Sequence, residues 1–202
     1  MADTAPAAPQ PGKRQGAARR KLLAAAARRF YADGVAATGI DTITAEAGVA
    51  KMSLYNNFAS KADLVLAYLD ARHAEWLDLY RSRLAGVEGG RDGVLAVFDA
   101  YADHARFAYE RGFRGCGLLN AAAELPAEHE GRAAVRRHKE EVEALLALHI
   151  AQLLPDRPEE ARSVAEHLAF LLEGAMARAG LEGTDQRVTH ARTMAADLLE
   201  RL

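Results

Sequence analysis

The chain has 202 residues, of which 50% are hydrophobic, with 26 Lys or Arg, 28 Asp or Glu and a single cysteine. This apolar content is ample for a packed core and excludes a wholly disordered chain, while one cysteine excludes an intrachain disulfide framework and fits a reducing cytoplasm. No apolar run approaches the ~20 residues of a membrane helix and no secretory apolar segment opens the chain, so we expect a cytoplasmic protein with no membrane partner.

The residue types favour helices along the whole chain. Ala, Leu, Arg and Glu dominate, clusters of Val, Ile and Thr are scarce, and apolar residues recur at spacings of three and four. We therefore expect an all-α fold.

Charge is distributed unevenly along this nearly neutral chain. Residues 1–61 contain nine Lys or Arg and four Asp or Glu, a formal balance of +5, whereas residues 62–202 contain 17 and 24, a balance of −7. A basic end followed by an acidic remainder suits a protein that presents one end to a polyanion.

The first segment, residues 1–16, is rich in Ala, Pro and Gly and contains Lys13 and Arg14 near its end. We expect a flexible basic arm, either an unstructured tail or an extension that reaches phosphates or the minor groove. A first helix should follow from about Ala17 to Asp33. Its apolar face comprises Leu22, Leu23, Ala26, Ala27 and Phe30.

Residues 34–61 have the pattern of two short helices joined by a glycine turn. Gly48 is at the pivot, where the chain must reverse within about three to four residues and glycine tolerates positive φ. Thr38 is positioned to cap the first of these helices, and Asp41 lies in its first turn. The apolar kernel that should hold the two helices together comprises Ile40, Ile43, Ala47, Val49, Leu54 and Phe58. This is the form of a helix-turn-helix, whose second helix enters the major groove of DNA.

The same stretch resembles the TetR family of bacterial transcription regulators. The resemblance is carried by Ala47-Gly48-Val49-Ala50-Lys51-Met52-Ser53-Leu54-Tyr55-Asn56-Asn57-Phe58, followed by Ser60-Lys61, and it extends back to Arg20 through Phe30-Tyr31-Ala32-Asp33-Gly34. The chain departs from the family in having Asn57 where His is frequent and Thr44 where Ala is usual.

The resemblance implies two domains and a mode of action. An N-terminal three-helix helix-turn-helix domain, residues 17–63, would be followed by a helical effector-binding and dimerisation domain, residues 64–202. Such regulators bind a palindromic or near-palindromic operator in double-stranded DNA as homodimers. By the same resemblance we expect a repressor that is released by an unknown small-molecule effector, with no cofactor and no catalytic residue.

The apolar kernel leaves the polar side chains around the second short helix free to meet DNA. The expected phosphate contacts are Thr38, Tyr55, Asn56, Asn57 and Lys61. The expected groove-facing residues are Lys51, Met52 and Ser53. Lys51 suits guanine acceptors or phosphate, and Met52 suits a thymine methyl group.

Helices should also make up the rest of the chain. Ser60 should cap a long helix that begins at Lys61 and ends by about Leu84. Beyond a glycine-rich stretch, further helices separated by Gly or Pro are expected near residues 92–111, 116–124, 126–154, 158–180 and 185–201.

A ligand cavity in this second part should be lined by aromatic and polar residues on apolar or mixed helical faces. The candidates are Trp76, Phe98, Tyr101, His104, Phe107, Leu118, Asn120, Leu145, His149 and Leu172. Each of them could instead be an ordinary core residue. No metal site is expected, because the HExxH-like string that opens at His129 has Ala133 in place of the second His.

Cys116 lies between Gly115 and Gly117, but the third glycine of a nucleotide-binding loop is absent. The thiol could be a redox sensor. Because no electropositive partner is predicted for it, a small buried residue at a helix start is the favoured interpretation.

The last two long helices carry apolar residues suited to dimerisation, and small residues such as Gly174 permit close helix approach. The apolar positions are Leu168, Ala169, Leu171, Leu172, Ala175, Met176, Met194, Leu198, Leu199 and Leu202. In the resembling family these helices pair across a two-fold axis as a four-helix bundle. Burial wholly within one subunit is the alternative.

Two other classes of protein remain as alternatives, an α-helical enzyme and a protein-interaction module without specific DNA binding. The sequence has no GxSxG elbow, Walker loop, CxxC pair or complete zinc signature. Both alternatives predict no salt-dependent, sequence-selective binding of duplex DNA, whereas a regulator must show it.

Overall fold

The computed structural model describes residues 11–107 and 109–202, and within those ranges the chain forms helices and no strand. The helices are α1 (Pro11–Asp33), α2 (Ile40–Ala47), α3 (Lys51–Tyr55), α4 (Lys61–Leu84), α5 (Gly90–Ala105), α6 (Gly117–Ala123), α7 (Glu130–Leu153), α8 (Pro158–Glu182) and α9 (Gln186–Leu199). The predicted all-α fold is confirmed. None of the helices in these two ranges is long and apolar enough to cross a membrane.

The chain divides into two compact units, unit 1 (residues 1–68) and unit 2 (residues 69–202). Helix α4 begins in unit 1 and ends in unit 2. Its predicted cap is confirmed, because Ser60 Oγ accepts a hydrogen bond from the Asp63 N–H at 3.0 Å and the helix begins at Lys61.

Unit 1 packs α1 against α2 and α3 around a small apolar core. The side chains in it that are fully buried are Leu22, Ala25, Ala26, Ile43, Leu54 and Leu64. Gly48 ends α2 with a φ of +62°, and its N–H donates to the Ala45 carbonyl oxygen at 3.1 Å. The predicted glycine turn is confirmed. An added Cβ would meet nothing within 4 Å there, so the left-handed backbone, not lack of space, requires the glycine.

The predicted cap at Thr38 is wrong. Gly39 is the N-cap of α2, and no side chain caps that end of the helix. Thr38 is only 2% exposed, and its hydroxyl donates to the Gly34 carbonyl oxygen at 2.6 Å. The hydroxyl therefore satisfies a carbonyl just beyond the end of α1, because the threonine side chain turns into the core of unit 1.

Helix α1 begins at Pro11, earlier than the predicted start at Ala17. Proline is tolerated in a first helical turn, where its missing N–H would have no intrahelical partner, and the Ala, Arg and Lys residues that follow are strong helix formers. The remainder of the predicted basic arm, residues 1–10, lies outside the described residues.

Unit 2 packs α5, α7, α8 and α9 together, with α6 against α7. Two helix boundaries differ from those predicted. Helix α5 ends at Ala105 and not near residue 111, and α7 begins at Glu130 and not near residue 126. His129 caps α7, since its Nδ1 accepts the Gly131 N–H at 3.0 Å. Histidine is not among the usual capping residues, so residue type did not predict this helix start.

Five of the ten apolar side chains that we assigned to a dimer interface are buried within unit 2 itself. These are Leu168, Leu172, Ala175, Met176 and Leu199. For them the alternative of burial within one subunit holds. Helix α8 also has a second apolar stripe, in which Phe170 is 66% and Leu181 is 89% exposed.

Candidate nucleic-acid interface and ligand cluster

The outer face of α3 presents the side chains that we expected in the major groove. Met52 is 67% and Tyr55 is 46% exposed, while Lys51 and Asn56 are also exposed and Ser53 is half-buried. On the opposite face, Leu54 is fully buried and fixes the helix on the core of unit 1. The short helix therefore has one apolar side packed against the core and one exposed side, as a recognition helix requires.

Lys51, at the first position of α3, contacts an acidic neighbour that the sequence analysis did not pair with it. Its Nζ lies 2.8 Å from Asp41 Oδ1 in the first turn of α2. The hydrogen bond to Asp41 raises the pKa of Lys51. A donor and an acceptor thus lie side by side on the exposed surface of the helix pair.

The other expected phosphate contacts differ in their availability. Lys61 is half-buried at the start of α4, and the Asn57 amide donates to the Ser53 carbonyl oxygen at 2.7 Å. Thr38 is buried, and its only hydroxyl proton is used inside unit 1. The Thr38 side chain therefore has no proton left to donate to a phosphate.

Two of the basic residues of unit 1 serve its internal structure. Glu46 on α2 accepts from Arg28 Nε at 2.6 Å and also from Arg29 Nε, and both arginines belong to α1. Burial opposes ionisation of this carboxyl group, but the hydrogen bonds from Arg29 and Arg28 lower the pKa of Glu46. Arg19 instead is exposed, with its guanidinium carbon 5.0 Å from the centre of the Phe58 ring.

In unit 2, Trp76 is the centre of a buried aromatic cluster that includes predicted ligand residues. Its ring stacks on Tyr80 at a centroid distance of 5.6 Å and lies 5.2 Å from Tyr101. His138 contacts the same indole edge-on at 5.6 Å. His149 joins the cluster through a hydrogen bond of 2.6 Å between its Nε2 and Tyr80 OH. Sequence reasoning missed Tyr80 and His138.

Lys139 on α7 places a positive charge inside this cluster. Its Nζ lies 2.7 Å from Glu173 Oε1, 3.3 Å from Tyr101 OH and 3.6 Å from Cys116 Sγ. Burial opposes the charge, but Tyr101, Cys116 and Glu173 raise the pKa of Lys139 above its ordinary value. The expectation that Cys116 lacks an electropositive partner is therefore wrong. Lys139 lies in a helical stretch rich in charged residues, so the sequence pattern does not indicate that its side chain is largely buried.

Two histidines and a carboxylate form a hydrogen-bonded chain beside a cavity of about 200 Å³. His138 Nδ1 contacts His73 Nδ1, and His73 Nε2 lies 2.7 Å from Glu141 Oε2. The residues that line the cavity are Leu69, Asp70, His73, Leu118, Ala134, Val135, Arg137, His138 and Glu141. No group of three or more His, Cys, Asp or Glu among the described residues is arranged to hold a metal ion.

The remaining ligand candidates lie in varied settings. Phe98 and Leu172 are fully buried, as ordinary core residues are. Asn120 donates from its amide to the Arg114 carbonyl oxygen at 3.0 Å, and Phe107 is 37% exposed, with its ring 5.3 Å from that of His104. Leu145 is half-buried on α7, and Leu118 lines the cavity.

The buried histidines predict that acid destabilises the fold. Burial is the main cause that lowers the pKa of His138 to about 2 and of His104 to about 4, and the charge of Lys139 lowers both further. Below pH 6.5 the unfolded chain binds protons that the folded chain does not bind, so stability should fall as the pH falls from 6.5 towards 4. The loss at pH 5 should be on the order of 1–2 kcal/mol for each histidine.

Urea unfolding at pH 7 and pH 5 measures this loss. His138→Gln should reduce the difference in unfolding free energy between the two pH values, whereas His190→Gln, at an exposed position on α9, should leave it unchanged. A difference that stays the same in His138→Gln would show that the buried imidazole does not cause it.

The chain is similar to known regulatory proteins. A family model described as bacterial regulatory proteins, tetR family, matches residues 22–68. The chain is 34% identical to SCO4454, a TetR-family transcriptional regulator from Streptomyces coelicolor, and matches its crystal structure with a TM-score of 0.80 over 93% of this chain and 96% of that chain.

Two curated relatives are similar over shorter stretches. The HTH-type transcriptional activator FasR of Mycolicibacterium smegmatis is 35% identical over 85 residues, which are 42% of this chain and 39% of FasR. The transcriptional regulator AcuR of Cereibacter sphaeroides is 33% identical over 140 residues, which are 63% of this chain and 61% of AcuR. The alignments thus span less than two thirds of either protein.

Proposed function

This chain belongs to the TetR family of DNA-binding transcriptional regulators, and from that premise we propose that it represses transcription from a palindromic operator. It binds the operator as a homodimer and leaves it when a small molecule binds to unit 2. Repression is proposed from the family resemblance, and FasR, among the relatives, is named an activator. We place the protein in the cytoplasm, where it needs no cofactor and carries out no catalysis.

The observation that carries the proposal is the exposed surface of α3, opposite the side on which Leu54 is buried. Lys51, Met52 and Ser53 occupy the first positions of this helix, which are the positions that meet base edges when a recognition helix enters the major groove. The formal charge of +5 on residues 1–61 supplies the sequence-independent attraction to phosphates.

Phosphate contacts fix the register of the helix on the duplex. We assign them to Tyr55, Asn56, Asn57 and Lys61, which follow the reading positions along the chain. Lys61 begins α4, so its ammonium group and the unpaired N–H groups of that helix start can bind one phosphate together.

The effector site of the proposal is the buried cluster around Trp76. Of the predicted ligand residues, Trp76, Tyr101 and His149 belong to this cluster, and Tyr80, His138 and Lys139 are their polar or aromatic neighbours. An effector can release DNA only if it binds one shape of the dimer better than the other. Helix α4, which is continuous from unit 1 into unit 2, is the covalent connection through which such a difference would act.

The homodimer of the proposal uses the exposed stripe on α8. Phe170, Gly174, Ala177 and Leu181 follow one another at spacings of four and three residues, so they share one face of the helix. All four are exposed. A second copy of this chain, paired across a two-fold axis, would cover this face. Binding to both half-sites of an operator requires the two copies of α3 to lie about 34 Å apart, one DNA turn.

Selection of bound duplexes from a randomised pool tests the proposal. We expect an inverted repeat to emerge with the purified protein. Lys61→Ala should weaken binding to every sequence similarly and make the slope of log affinity against log salt shallower by about 1, whereas Lys51→Ala should also change the preferred bases.

Arg136→Ala, at an exposed position on α7, removes the same charge from unit 2 and is the matched control. Wild-type operator binding by both Lys51→Ala and Lys61→Ala would contradict the assigned interface. The enzyme and interaction-module alternatives instead predict that the wild-type chain selects no duplex at all.

A further inference from the structure

We propose that Asp41 and Lys51 act together as the reader of one G·C base pair in each half of the operator. Asp41 Oδ1 lies 2.8 Å from Lys51 Nζ, and the two side chains are 79% and 55% exposed. One residue comes from the first turn of α2 and the other from the first position of α3. The inference rests on the proposed operator interface at α3.

This ion pair should contribute little to the stability of the folded protein. Exposed pairs between Lys and Asp contribute little to folding, because water screens them and both side chains lose freedom. In the absence of a DNA-borne hydrogen-bond donor, a carboxylate beside a recognition helix would weaken binding, since it is repelled by the phosphates. A hydrogen-bond donor on the DNA would offset this repulsion of the Asp41 carboxylate.

The donors available to a carboxylate in the major groove are the exocyclic amino groups of cytosine and adenine. In a G·C pair, cytosine N4 carries such a donor and lies about 2.9 Å from guanine O6, because the two atoms are joined by a base-pair hydrogen bond. Asp41 and Lys51 present an acceptor and a donor at nearly the same separation, 2.8 Å. Lys51 can thus donate to guanine O6 while Asp41 accepts from cytosine N4.

An A·T pair fits the same ion pair less well. Adenine N6 would still serve Asp41, but thymine offers Lys51 a single acceptor, O4, beside its methyl group. Guanine offers two acceptors, O6 and N7, to one lysine. The contact between Asp41 and Lys51 also holds both side chains in position before DNA binds, so less side-chain freedom is lost in the complex.

Selection of duplexes with the wild-type protein and with Asp41→Asn, Asp41→Ala and Lys51→Ala tests this proposal. The wild type should require G·C in one fixed orientation at one position of each half-site. Asp41→Asn should lower the preference for G·C over A·T at that position about tenfold and favour adenine, because asparagine pairs with adenine N6 and N7. In Asp41→Ala with Lys51→Ala, the loss of preference at this position should be smaller than the two single losses combined.

Asp78→Asn makes the same change of net charge at an exposed position of α4 in unit 2 and is the charge control. It should leave every base preference unchanged. Circular dichroism of Asp41→Asn, which preserves the shape of the side chain, verifies that the helices are retained.

The outcomes separate this proposal from the one on which it rests. If the wild type selects an inverted repeat and Asp41→Asn and Asp41→Ala keep its preference at every position, then Asp41 reads no base and the paired reader is wrong. If the wild type selects no duplex, the proposed regulator function fails first. A uniform rise in affinity for all sequences in Asp41→Ala, with no local change of preference, would assign Asp41 a repulsive role only and would likewise overturn the reader.

Discussion

Replacement of Gly180 by alanine should lower the free energy of unfolding by about 2–3 kcal/mol. Gly180 lies in α8 where the helix meets the segment before α6. A Cβ on Gly180 would lie 2.6 Å from the Gly115 Cα and N atoms and 2.8 Å from the Arg114 carbonyl carbon. These are backbone atoms that no rotamer change can move, so α8 and the segment must separate to admit the methyl group.

The backbone of that segment cannot easily shift to make room. Gly115 has a φ of +86°, and the next residue, Cys116, is the N-cap of α6. Cys116 Sγ also lies 3.6 Å from Lys139 Nζ, so a displaced segment would disturb the cluster around Trp76 as well as the packing. We therefore expect Gly180→Ala to affect both the stability of unit 2 and any response to an effector.

Gly174, six residues earlier in the same helix, is the matched control. A Cβ there would meet nothing within 4 Å in the protomer, and alanine in a helix is favoured over glycine. Gly174→Ala should therefore raise the free energy of unfolding by about 0.5–1 kcal/mol. Urea unfolding measures these opposite changes in the free energy of unfolding. Both variants should also carry Phe170→Asp and Leu181→Asp, so that a dimer contact does not add to the result. Equal stability of the two variants would contradict the close approach at Gly180.

The parts of the fold that could be predicted are those that depend on neighbours along the chain. Ser60 caps α4 because its hydroxyl reaches an N–H three residues away, and Gly48 turns the chain because its own backbone adopts positive φ. Both effects are local, so residue type and spacing predict them. The exposure of Met52 beside the buried Leu54 follows in the same way from helical periodicity.

The aromatic cluster around Trp76 and the neighbouring histidine pair could not be predicted in the same way, because their contacts join residues far apart in the sequence. Tyr80 bonds His149, and His73 bonds His138, through pairs that are 69 and 65 residues apart. A histidine or lysine on a mixed helical face has the same local pattern whether it meets solvent or a buried partner. Lys139 is the clearest case, since only its packing against Glu173 and Tyr101 turns a charged position inward.

Helix α8 shows how two apolar stripes on one helix can be confused. Leu168, Leu172 and Met176 form the stripe buried in unit 2, whereas Phe170 and Leu181 lie on the exposed stripe. Both stripes satisfy the spacing of three and four residues. Hydrophobicity alone therefore does not distinguish the stripe that packs inside unit 2 from the stripe that is exposed.

Phe170→Asp combined with Leu181→Asp should convert the protein to a monomer and lower its operator affinity about 100-fold or more. Phe170 is 66% and Leu181 is 89% exposed, so neither side chain supports the fold of the protomer. If a second copy covers this stripe, the substitutions place unpaired carboxylates in an apolar interface, where desolvation strongly opposes association. Loss of the dimer removes the gain in affinity that two linked half-site contacts provide.

Light scattering at micromolar protein reports the oligomeric state, and titration of the selected duplex reports the affinity. Leu148→Asp is the control, because Leu148 is 57% exposed on α7, outside the α8 stripe. It should change neither measurement. A half-site duplex should bind the monomeric variant and the wild type with similar affinity per recognition helix, since unit 1 is unaltered. A double variant that stays dimeric and keeps full operator affinity would exclude this face of α8 as the interface.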